Sequence, residues 1–144
     1  ISTRAPLLVR SPDMDRMGEN TKQITEFLDL YPTLCKLAGL EIPVHVEGES
    51  FAKLLNDPDA SHREVAGSEM RREGGRIGRS IRNQDYRYTE WRDTDNQLLA
   101  KELYDHRRDS RSGRLEKINV VDADEYSDVA SQLSKELHEL IPHK

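Results

Sequence analysis

The sequence predicts a mixed α/β chain in two unlike parts. A strand–loop–helix piece of an α/β layer runs over 1–60, and a small antiparallel sheet packed by a C-terminal helix fills 61–144. Three observations predict this. "APLLV", Ala5 to Val9, is a continuous apolar run with Pro6 near its start, the pattern of a strand buried on both faces. "RSIR" and "YRYTEW" are alternating runs separated by "NQD", which reads as a hairpin. Tyr126, Val129, Ala130, Leu133, Leu137, Leu140 and Ile141 recur at helical spacing, giving one apolar stripe to lay across a sheet.

After the first run, "RSPDMDRMGENTK" is polar and broken by Gly and Pro, so it is a loop. "LDLYPTLCKLAGLEIP" is a helix with readable ends. Asp29 is the candidate N-cap, Pro32 falls in the first turn where its missing N–H costs little, and Gly39 ends it. Leu34, Leu37 and Ala38 give its apolar face. Phe51 to Leu55 form a second, shorter helix capped by Ser50. "REVAGSEM" is a strand and "RREGGRIG" a glycine-rich turn. In "YRYTEW", Tyr86, Tyr88 and Glu90 share one face, and Arg87, Thr89 and Trp91 the other. "LLAKELYD" fits strand and short helix equally. "HRRDSRSGRLEKINV" reads as a loop, and Asp122 with Glu125 as a capping box for the last helix.

Only 35% of the 144 residues are hydrophobic and 34% are charged. The core is thin for this length, so the chain is either partly irregular or buries apolar faces against a partner. One buried strand cannot make a parallel sheet, so the first part asks for neighbours. A net charge of -5 speaks against a general nucleic-acid binder. No apolar run is long enough to span a membrane, and no signal peptide is in view. "ISTRAPLLVR" lacks an initiator Met and reads as cut from a longer chain, with Ile1 as a residue exposed by processing as the alternative. Cys35 reads as a small buried hydrophobe.

The five histidines form no short ligand pair, and His138 and His143 sit where a cation suits a helix C-terminus. No nucleophile elbow, P-loop or dinucleotide fingerprint is present. Asp13, Asp15 and Glu19 lack the spacing of a calcium loop and read as a solvated loop. The remaining chemistry is arginine. Arg71, Arg72, Arg79 and Arg82 cluster between or beside strands, and a guanidinium fork suits carboxylate or sulfate. They are the candidate substrate-binding residues. The competing reading pairs several of them with Glu69, Glu73 and Asp85.

Several segments together resemble the C-terminal third of a sulfatase, a member of the alkaline-phosphatase-like superfamily. They are "TRAPLLVRSP", "FLDLYPTLCKLAGL", "GESFAKLL", "SIRNQDYRYTEW", "KELYDHRRD" and "NVVDADEYSDVASQLSKELHELI". The likeness is greatest to the iduronate-2-sulfatase-like branch. Asp109-Ser110 departs from the "RDP" turn of such sequences. The resemblance implies hydrolysis of sulfate esters of a sulfated glycan, as in glycosaminoglycan degradation. It implies a formylglycine made within a C/S-x-P-x-R motif, and a calcium ion. Cys35 is followed by Lys36, Leu37, Ala38 and Gly39, so it is not that motif. Both groups are expected on an N-terminal catalytic portion, either a separate chain or missing sequence, with no catalytic or metal residue in this chain. A periplasmic or secreted setting, lysosomal in an animal, is also implied. A stand-alone module binding anionic glycan or protein, and a phosphate-ester hydrolase of the same superfamily, are the alternatives.

Overall fold

The structure, a computed structural model, describes residues 4–109 and 116–142. Two compact units divide the chain, Ser2–Glu64 and Val65–Lys144.

In the first unit, helix α1 (Leu30–Leu37) follows a 3-10 turn, Phe27–Asp29. Its end is the one expected from the sequence. Gly39 takes a φ of 69°, its N–H bonds to the Lys36 carbonyl, and the Leu40 N–H bonds to the Cys35 carbonyl. These two bonds satisfy the last carbonyls, as a left-handed glycine beyond the helix allows. The face that α1 buries is not the expected one. Pro32, Thr33 and Cys35 are buried, whereas Leu34, Leu37 and Ala38 are exposed. A polar anchor explains the difference: the Thr33 hydroxyl donates to the Asp29 carbonyl at 2.6 Å and accepts the Phe51 N–H at 3.0 Å. That bond draws the segment 49–51 onto the Thr33 side. Phe51, Leu54 and Leu55 are buried there. The second helix forms as a 3-10 turn, Ala52–Leu55, whose Ala52 N–H reaches the Ser50 hydroxyl at 3.3 Å.

Residues 5–9 form no strand. Leu7 and Leu8 are exposed, Leu8 at 92%. A strand needs a ladder for its backbone groups, and among the described residues none is offered to this segment.

The second unit is a four-stranded antiparallel meander in the order β1 (Ala66–Arg71), β2 (Ile77–Arg82), β3 (Tyr86–Arg92), β4 (Leu98–Asp105). "NQD" is the β2–β3 turn, with Asn83 Oδ1 accepting the Asp85 and Tyr86 N–H groups at 3.0 and 2.7 Å. "LLAKELYD" resolves as strand. A two-residue period puts Gly67, Ile81, Tyr88 and Leu103 in one row across the sheet. Helix α3 (Ser127–Leu140) lies on that face, and Tyr126, Leu133 and Leu137 close the core over Ile81, Tyr88 and Leu103. On the opposite face the Trp91 ring covers Gly78, where a β-carbon would come within 2.7 Å of it. A side chain at Gly78 would therefore displace the indole. A one-turn helix α2 (His106–Asp109) follows β4, where a loop was expected. The Asp122–Glu125 box is not built; α3 is entered through a 3-10 turn, Asp124–Tyr126, with no side-chain cap on the Tyr126 end.

Candidate functional site

Strand alternation decides where the four candidate arginines go. Glu69, Arg79, Glu90 and Lys101 occupy one cross-strand row on the α3 side, and Arg71, two residues from Glu69, shares that face. Arg82 pairs with Arg87 on the other face. Arg72 stands there too, its guanidinium 5.9 Å from the Trp91 ring. Arg71 and Arg79 are thus brought together, while Arg72 and Arg82 lie across the sheet from them.

Arg71 and Arg79 line a cavity of about 270 Å³ together with Arg92, Glu90, Asp93 and Asn96. Arg79 Nε donates to Glu69 at 2.9 Å and Arg71 Nη2 lies 3.6 Å from the same carboxylate. The pairing with Glu69 read from the sequence is therefore present. It orients Arg79, which is mostly covered, and leaves the Arg71 side chain 79% exposed. An entering anion would meet the Arg71 fork first.

Glu90 was placed on its face by the sequence but given no role there. It is 2% exposed and gathers four side chains. Its Oε1 accepts the Tyr88 hydroxyl at 2.9 Å and the Ser134 hydroxyl at 2.7 Å. Its Oε2 accepts Arg92 Nη2 at 2.8 Å and His138 Nε2 at 3.0 Å. The carboxylate thus bolts β3 to α3 while steering Arg92 into the cavity. His138 serves this contact rather than the helix dipole alone; His143 lies outside the described residues. The available signal was the spacing Tyr-x-Tyr-x-Glu, which puts one acid on an otherwise buried face.

Burial alone would raise the Glu90 pKa, but the hydrogen bonds from His138, Arg92, Ser134 and Tyr88 outweigh it and hold the group at about 2. Asp105 is likewise held at about 2, chiefly by the Arg107 hydrogen bonds against burial, with the Tyr126 hydroxyl adding at 3.0 Å. Both carboxyls bind a proton less readily folded than unfolded. Their stabilisation is therefore complete above ordinary carboxylate values, 4.5 for Glu and 3.8 for Asp. It is lost as pH falls toward 2. These two carboxyls are expected to make urea unfolding midpoints fall steeply between about pH 4.5 and 2. Buried His106, whose pKa lies below the ordinary 6.5, adds a smaller decline that begins as pH falls through that value.

On the opposite face, Arg87 Nη2 reaches Glu116 at 2.7 Å and its guanidinium lies over the Tyr104 ring. The other Glu116 oxygen is 3.1 Å from His106 Nε2. Burial and the Arg82 charge hold His106 below the usual histidine range. In the first unit, Asp29 is fully buried and accepts Arg63 Nη2 at 2.6 Å and the Glu26 and Glu49 N–H groups at 2.9 and 2.8 Å. It stands at the N-cap position of α1 but caps no N–H of that helix; its bond from the Glu26 N–H closes a capping box on the preceding 3-10 turn.

Among the described residues no group of three or more His, Cys, Asp or Glu could hold a metal ion. Cys35 is buried within α1. The residues described do not fit a calcium or formylglycine site.

The family model "N-sulphoglucosamine sulphohydrolase, C-terminal" matches residues 1–143. The chain belongs to that sulfatase family. This C-terminal domain is 34% identical over 55 residues to arylsulfatase K of Xenopus laevis, covering 38% of the chain and 10% of that protein. It is 30% identical over 59 residues to the ulvan-active sulfatase of Formosa agariphila, covering 41% and 12%. A solved 2-O GAG sulfatase is similar with a TM-score of 0.62 at 30% identity, over 78% of the chain and 24% of that structure. A Bacteroides fragilis structure shares the fold with a TM-score of 0.74 at 20% identity, over 90% and 27%. The domain spans about a tenth of the length of these curated relatives and about a quarter of these solved chains. No helix among the described residues is long and apolar enough to cross a membrane.

Proposed function

We propose that this domain completes a sulfatase that hydrolyses sulfate esters of a sulfated glycan, and that it walls the substrate pocket while an N-terminal catalytic portion carries the chemistry. In this reading Ser2–Glu64 is the last piece of the large α/β domain and Val65–Lys144 the small C-terminal subdomain. The observation that carries it is the sulphohydrolase family match over residues 1–143. The nucleophilic formylglycine and the calcium that stabilises developing charge would lie on the catalytic portion, and the enzyme would work in the periplasm, outside the cell or in a lysosome. A uronate 2-sulfate such as iduronate 2-sulfate is the favoured substrate; the 30% identity to a 2-O GAG sulfatase supports it.

Within this reading, Arg71 offers its exposed fork to a carboxylate or second sulfate of the glycan, and Arg79 lines the same cavity. Arg72 and Arg82 would serve a different face. In the full-length enzyme, Arg71→Ala is expected to raise KM for a sulfated disaccharide about tenfold with kcat little changed, the mark of uniform binding lost. Arg72→Ala and Arg82→Ala are expected to move KM less. Unchanged kinetics for all four would remove the arginine role. Release of sulfate from sulfated glycosaminoglycan oligosaccharides tests the function itself; turnover of phosphate monoesters in its place would overturn it.

A further inference from the structure

We propose that the outer face of α1 and the turn before it, formed by Phe27, Tyr31, Leu34 and Leu37, is the surface through which Ser2–Glu64 docks onto the N-terminal catalytic portion of the same protein. The identity of the occupant rests on the sulfatase reading; the surface rests on the side chains. These four residues follow one another at spacings of three and four, so they form one stripe. Phe27 is 71%, Tyr31 54%, Leu34 64% and Leu37 41% exposed. The other side of α1, Pro32, Thr33 and Cys35, is already buried within the unit. A helix already buried on one side and apolar on the other belongs between two layers, not on a surface.

Helix α3 supplies the contrast within the same chain. It buries Leu133 and Leu137 and turns Asp128, Gln132, Lys135 and Glu139 outward, the pattern of a helix that ends at water. The α1 stripe carries no charge at the equivalent places. Exposed Leu7 and Leu8, in the segment 5–9 that lacks a ladder, add a second unmet apolar element in the same unit. Contiguous apolar surface of this kind marks an interface. Three-quarters or more of a relative's length lies outside this domain, enough chain to supply both a sheet for residues 5–9 and a layer for α1.

Hydroxyl-radical footprinting of the native full-length protein, read by mass spectrometry, tests this. Tyr31, Leu34 and Leu37 are expected to oxidise as slowly as the buried Tyr88 and Leu133, and to do so unchanged on hundredfold dilution. Rates near those of the unfolded protein would overturn the proposal. So would protection that disappears on dilution, which would assign the face to a second copy. As a second measure, Leu34→Glu combined with Leu37→Glu is expected to lower Tm of the full-length protein by about 5 °C or more. Lys135→Glu on α3 should shift it by about 1 °C or less. An unchanged Tm in the double variant would count against docking. A protected face in a protein without sulfatase activity would leave the surface standing and remove the sulfatase reading; an open face in an active sulfatase would do the reverse.

Discussion

Glu90→Ala in the full-length protein is expected to cost about 3–5 kcal/mol of stability, the scale for removing one partner of a buried ion pair. Four donors converge on this carboxylate, from Tyr88, Arg92, Ser134 and His138. Alanine leaves them facing one another, with the Arg92 charge, itself largely covered, losing its counter-ion. The substitution also opens a void beneath α3 beside Tyr88, which is fully buried. Glu90→Gln keeps the volume and an acceptor oxygen and is expected to lose roughly half as much. Truncating half-exposed His138 to Ala should cost only about 1 kcal/mol. Urea denaturation checks the series. A loss below about 1 kcal/mol for Glu90→Ala would show that the network is not what joins the sheet to α3.

Asp29→Ala is expected to have an effect of similar size, about 3–5 kcal/mol, in the other unit. Its carboxylate takes two bonds from Arg63 and one each from the Glu26 and Glu49 N–H groups. Removing it leaves a mostly covered guanidinium with Glu26, at 3.1 Å, as its remaining close counter-ion, strands two backbone donors, and loosens the segment 49–51 from α1. Burial would push the Asp29 pKa up, but the Arg63 and backbone hydrogen bonds win and hold it below the usual range. Buried Cys35 gives a local readout, because thiol labelling at that residue should quicken markedly in Asp29→Ala. Unaltered labelling together with wild-type stability would contradict the role given to Asp29.

Legibility in the sequence followed the range of the forces involved. The β2–β3 hairpin and α3 were readable because alternation, turn chemistry and helical spacing are local and agree with the tertiary outcome. The "LLAKELYD" ambiguity was settled by pairing with β3, whose partners run from Arg92 opposite Leu98 to Tyr86 opposite Asp105. The inner face of α1 was misread because Thr33 looks polar in a list, yet it is the anchor that draws in Phe51. Strand 5–9 was read from its apolar composition, which signals burial but does not supply a ladder. The arginines were legible as a cluster along the chain, but not as two faces. Residues 71 and 72 differ by one position, which in a strand is a change of side. Glu90 and Asp29 were invisible as hubs because their donors come from distant residues such as His138 and Arg63.

The most direct test of the central claim is sulfate release by the full-length protein with and without residues 1–144 of this chain. The account predicts that the intact protein releases sulfate from a sulfated glycosaminoglycan oligosaccharide and that the catalytic portion alone is at least about a hundredfold less active, a loss of roughly 3 kcal/mol in transition-state stabilisation. It also predicts that adding the chain back as a separate polypeptide restores part of that activity. Full activity in the truncated protein would contradict the account, because the domain would then be dispensable to both the fold and the pocket.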